Sequence, residues 1–107
     1  MTYRIRITDL AKNQIDDFIT YVEQVRQEPI NAGRLLEAIY DGIDSLRSMP
    51  RRCAEAPESQ LVDPTVRMLI VKRTLIVLFT INEADRTVVI QGFRHGRQLP
   101  RQLPLDS

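Results

Sequence analysis

Between Val66 and Phe93 three apolar runs follow one another with only short polar breaks, and this crowding restricts the C-terminal part of the chain to a small sheet of adjacent strands. Val66 to Val71 and Leu75 to Ile81 are β-branched and nearly continuous, the pattern of central strands covered at least in part on both faces. Lys72-Arg73-Thr74 reads as the hairpin turn between them, and Asn82-Glu83-Ala84-Asp85-Arg86 as the next turn. Thr87 to Phe93 completes an antiparallel meander. That last strand opens into Phe93-Arg94-His95-Gly96-Arg97, with Arg101 four residues on, so the sheet ends in a small basic tail that carries the only histidine.

Upstream, Tyr3, Ile5 and Ile7 alternate with Arg4, Arg6 and Thr8, which predicts a strand over residues 2–7 that must pair with the meander. Thr8 or Asp9 can cap the helix that follows. Ile15, Phe18, Ile19, Val22 and Val25 recur at helical spacing and predict a helix over 9–26. After Gln27-Glu28-Pro29, the stripe Leu35, Leu36, Ile39, Ile43, Leu46 and Met49 predicts a second helix over 30–48, stopped by Pro50. So short a break argues for an antiparallel helical hairpin lying on the sheet. Asp16, Asp17, Glu23, Glu37, Asp41 and Asp44 fall on the opposite, solvated face. Arg51 to Pro64 is polar and aperiodic and reads as a surface loop.

The expected architecture is therefore α+β, a helical hairpin packed on a small, mainly antiparallel sheet. Its expected core is Ile15, Ile19, Val22, Leu36, Ile39, Ile43, Leu69, Val71, Val77, Phe79, Val88 and Ile90. The 107 residues suit a single domain, with a tail fraying from about Leu103. The net charge of +1 conceals an asymmetry: residues 1–64 carry 8 basic and 11 acidic side chains, residues 65–107 carry 7 and 3. A basic sheet side can meet an acidic protein or a nucleic acid. The N-terminus lacks a signal-peptide core and no run reaches membrane-spanning length, so a cytoplasmic location is expected. Cys53, the single cysteine, excludes an internal disulfide and a cysteine-based zinc cluster; neither a cofactor nor a metal is expected.

The order strand, helix, helix, three strands, with Leu46-Arg47-Ser48-Met49-Pro50, Val66-Arg67-Met68-Leu69-Ile70-Val71 and Gly92-Phe93-Arg94-His95-Gly96-Arg97 at matching places, resembles the RelE/ParE toxin superfamily over almost the whole chain. Plasmid-stabilisation proteins belong to the same group. The resemblance implies a growth-inhibiting toxin of a type II toxin–antitoxin pair, wrapped by a cognate antitoxin, often as a heterotetramer.

Two mechanisms within that superfamily place different demands on the same sheet. RelE-like members cleave messenger RNA on the ribosome, which requires an acid, a base and positive charge on the developing oxyanions. Under that reading His95, Arg67 and Arg97 are the catalytic candidates, with Lys72 and Arg73 beside them. ParE-like members instead bind DNA gyrase and perform no reaction of their own. Ile76 stands where the superfamily commonly has an arginine, and no tyrosine follows Arg97; both departures favour the ParE-like reading. Arg94, His95, Arg97, Arg101, Arg67, Lys72 and Arg73 are then the target-binding candidates, Arg94 and Arg97 being able to make paired contacts to carboxylate or phosphate. A plain nucleic-acid-binding module is a third reading, although a chain without tryptophan has few rings on which to stack bases.

Overall fold

The computed structural model describes residues 2–60, 65–101 and 103–106. Strand β1 (Arg4–Ile7) leads into helix α1 (Asp9–Thr20), which continues as a π-helical turn over Tyr21–Val25; helix α2 (Pro29–Ser45) follows. Strands β2 (Arg67–Val71), β3 (Leu75–Asn82) and β4 (Thr87–His95) complete the chain's regular structure. The sheet order is β1-β4-β3-β2, antiparallel throughout the meander and parallel where β1 joins β4. An α+β helical hairpin on a mainly antiparallel sheet is thus the observed architecture.

Thr8 ties the first helix to the sheet. Its backbone is extended, and its hydroxyl accepts the Ala11 N–H at 3.1 Å while donating to the Ile90 carbonyl at 2.9 Å. One buried side chain therefore caps α1 and fastens it to β4. Thr8→Ala should destabilise the fold by about 0.5–2 kcal/mol, the range of a lost N-cap, read from a urea midpoint that shifts at unchanged slope.

The helical stripe closes as its spacing demands. Ile15, Ile39, Ile43, Val71, Val77, Phe79, Val88 and Ile90 are buried together, with Ile19, Leu36 and Leu69 packed at the margin. The six helix carboxylates are exposed, as expected. Helix α1 departs from an uninterrupted α-helix to residue 26: from Tyr21 it widens, the Arg26 N–H reaching the Tyr21 carbonyl, and Gln27 turns left-handed at φ 54° to end it. Nor does α2 run to Pro50. It stops at Ser45, Met49 adopts φ 51°, and Pro50 opens a 3-10 turn of its own.

Three further expectations are corrected on the sheet's other face. First, β2 is an edge strand, with Ile70 54% exposed, whereas β3 and β4 are the central ones. β-Branched content cannot separate an edge from a centre, because both present apolar side chains to at least one packed face. Second, the segment after Pro50 is more than a surface loop: it bridges the edge through Glu55 and Arg67, forms a 3-10 turn at Pro57–Gln60, and buries Ala56 and Glu58. Residues 61–64 of that predicted loop lie outside the described residues. Third, the tail expected to fray from Leu103 is docked. Leu103 and Leu105 pack with Met68 on Ala56, Val66, Ile76 and Leu78, so an aperiodic loop and a tail together build a second, small core.

A β-bulge holds that tail. Leu78 faces Gly92 and Phe79 faces Ile90, which leaves Gln91 as the extra residue. The Gln91 amide donates to the Asp106 carbonyl at 2.7 Å and accepts the Asp106 N–H at 2.9 Å, the reciprocal pair a neighbouring strand would make. It also donates to Thr80 Oγ1 at 3.0 Å. Gly92 lets the tail come this close, since a Cβ there would meet Leu103 Cδ2 at 3.3 Å and Gln14 Oε1 at 3.2 Å.

Candidate functional site

A cleft of about 580 Å³ lies where the end of β4, the face of α1 and the returning tail meet. Phe18, Leu78, Phe93 and Leu103 form its apolar part, the rings of Phe18 and Phe93 5.4 Å apart. Gln14, Asp17 and Tyr21 supply the α1 side, and Arg94, His95, Arg97 and Arg101 the basic side. Gln14 has a structural task as well: its Oε1 accepts the Phe93 N–H at 2.8 Å just beyond the bulge.

The basic candidates thus separate into groups that the sequence left together. Arg94, His95, Arg97 and Arg101 share the cleft. Lys72 and Arg73 form the β2–β3 turn beside it, where the Gly96 N–H donates to the Thr74 carbonyl at 2.6 Å. Both turn residues are left-handed, at φ 51° and 70°, a conformation that costs non-glycine residues about 1 kcal/mol or more. Arg67 stands apart. It pairs with Phe79 four residues from the hairpin turn and so lies about 13 Å along the sheet. Its guanidinium donates to the Cys53 carbonyl at 2.7 Å, tying the loop after Pro50 to the sheet edge. Burial pushes the Cys53 thiol up, against the opposing pull of Arg52 and Arg67.

Arg94 is engaged internally. Its Nε donates to Glu58 Oε2 at 2.5 Å and its second terminal nitrogen to Glu58 Oε1 at 3.2 Å, a bidentate pair whose side chains are 12% and 1% exposed. The remaining nitrogen reaches the Gln98 carbonyl at 3.3 Å. His95 is also committed, since its Nδ1 accepts the Arg97 N–H at 3.1 Å. Arg97 and Arg101 are exposed, and neither guanidinium forms an ion pair or side-chain hydrogen bond among the described residues. Glu58 and Gln91 are the residues the sequence reading missed. A glutamate in an aperiodic loop and a glutamine inside a strand carry no local signal of their partners.

No group of three or more His, Cys, Asp or Glu that could hold a metal occurs among the described residues, and no helix among them is long and apolar enough to cross a membrane.

The helical hairpin on a four-stranded sheet is the RelE/ParE-like toxin fold. The model of the ParE toxin of the type II toxin–antitoxin system parDE matches residues 5–100, and the chain belongs to that family. Among solved structures it is similar to a chain of the chromosomal ParDE toxin–antitoxin system of P. aeruginosa, with TM-score 0.66 and 18% identity over 88% of this chain and 96% of that one. It is also similar to a chain of the toxin–antitoxin complex RelBE2 of Mycobacterium tuberculosis, with TM-score 0.60 and 21% identity over 89% and 99%. At these identities the likeness is one of fold. No curated protein matches the chain.

Proposed function

We propose that this ParE-family toxin arrests growth by binding DNA gyrase, without turnover of its own, and that a cognate antitoxin neutralises it by covering exposed apolar and basic surface. The observation carrying this reading is the commitment of Arg94 to Glu58. A ribonuclease needs cations poised for the scissile phosphate and a group free to take a proton. Here the Arg94 guanidinium is paired with Glu58, and His95 Nδ1 already accepts the Arg97 N–H. What remains accessible is a set of exposed cations, Arg97, Arg101 and the turn residues Lys72 and Arg73, around a cleft with an apolar part, a surface suited to recognising a protein.

The test is to induce the protein without its antitoxin and to assay, in the same cells, gyrase-dependent DNA breakage and ribosomal transcript cleavage. Broken DNA with intact transcripts is the expected result. Codon-phased transcript cuts with intact DNA would overturn the reading. Arg97→Ala combined with Arg101→Ala should leave the fold intact and weaken target binding by on the order of tenfold or more, the value of losing charge-assisted hydrogen bonds of about 1.5–3 kcal/mol each. The check is the inducer concentration needed to stop growth.

A further inference from the structure

We propose that Glu58 determines specificity at the cleft: its carboxylate occupies the oxyanion seat of Arg94 and thereby keeps phosphate esters out. This deepens the gyrase-binding reading, because it supplies a reason why a basic cleft on this fold would select a protein over a nucleic acid.

A guanidinium fork accepts a carboxylate or a phosphate in the same bidentate geometry. Arg94 and Glu58 both line the cleft, so the pair forms part of the wall a ligand in the cleft would meet. Glu58 is firmly held there. It belongs to the 3-10 turn Pro57–Gln60, which is anchored by the Ala56 N–H on the Val66 carbonyl at 2.8 Å and by the Val66 N–H on Ser59 Oγ at 3.0 Å. An incoming phosphate must therefore expel a carboxylate that is 1% exposed and leave it without its counter-ion, which is strongly unfavourable. The residue facing Arg94 across the sheet is Ile76, which offers no replacement charge. Phosphate is left with Arg97, Arg101 and the turn residues Lys72 and Arg73, exposed side chains whose attraction is screened by solvent and salt. Selectivity achieved by filling the competitor's seat is a repulsive device, distinct from any improved contact to the preferred partner.

The test uses the purified full-length chain and short fluorescein-labelled single strands of RNA and of DNA, with binding followed by anisotropy from about 50 to 200 mM salt. Glu58→Gln keeps the side chain's shape, removes its charge and leaves Arg94 without a counter-charge, so that a phosphate can displace the neutral amide. The variant should bind both strands more tightly than the parent, and its logarithmic salt dependence should steepen by about 0.7, the increment for one added phosphate contact on a single strand. Glu58→Gln with Arg94→Gln should return to the parental slope. Equal affinity and slope for parent and folded Glu58→Gln would overturn the proposal.

A second measurement needs no variant. In the parent protein, titrated inorganic phosphate should shift the guanidinium NMR signals of Arg97 and Arg101 and leave Arg94 Nε–H unmoved. A shift of Arg94 at the same phosphate concentration would show that the seat is open. Neither measurement involves gyrase or growth. If gyrase proves not to be the target, the role of Glu58 is still decided by these results alone.

Discussion

Arg94→Ala should destabilise the protein by about 3–5 kcal/mol, the cost of leaving a buried charge without its partner. Arg94 was a natural choice for a binding contact, but its fork closes on Glu58, which is 1% exposed, and removing it leaves that buried carboxylate without its partner. Replacing both partners by neutral side chains, Arg94→Gln with Glu58→Gln, should restore most of the loss, because the uncompensated charge is gone. A double-mutant cycle on urea midpoints measures the coupling. Toxicity assays on Arg94→Ala alone would confuse folding with binding. Were that variant as stable as the parent, the ion pair would have no structural weight and Arg94 would return to the list of target contacts.

Phe79→Ala should cost about as much, 3–5 kcal/mol, through a different mechanism. Phe79 is the largest fully buried side chain among the described residues; it stands at the register shift of β3, opposite Ile90 on one side and Arg67 on the other. Its truncation leaves a cavity between the sheet and the helical hairpin, where two layers of regular structure cannot easily collapse together. For a domain of this size each 1 kcal/mol shifts Tm by roughly 4–8 °C, so a fall of at least about 12 °C is expected. Ile70→Ala on the exposed edge, by contrast, should stay within about 0.5 kcal/mol of the parent. A fall in Tm for Phe79→Ala no larger than that of Ile70→Ala would mean that the sheet–hairpin interface is not where this fold is held.

These two sites mark what could be read in advance. Phe79 was placed in the core because it lies in a nearly continuous apolar run, as a covered central strand requires, while a helix buries residues three or four apart, and both signals act within a few residues. The hairpin of helices, the meander and the solvated carboxylates followed in the same way. β2 was misplaced at the centre because edge position depends on which strands pair, a long-range matter. The loop after Pro50 and the tail have no period, so nothing in them announced that Ala56, Leu103 and Leu105 would meet over Ile76 and Leu78. Arg94, His95, Arg97 and Arg101 were found from composition, and the fold does bring them to one cleft. Arg67 was grouped with them by charge, yet the antiparallel register carries it to the far end of the hairpin.

The amino-acid sequence by itself determined the element order, the faces of the helices and the basic character of the chain's end, since each rests on contacts or charges local in the chain. Only the tertiary structure decided which cations remain available. Glu58 and Arg94 are 36 residues apart, and the Gln91 clamp forms only once the tail has crossed back over the sheet. A charge is legible in one dimension, but its neutralisation requires a partner, and that partner is chosen by the fold.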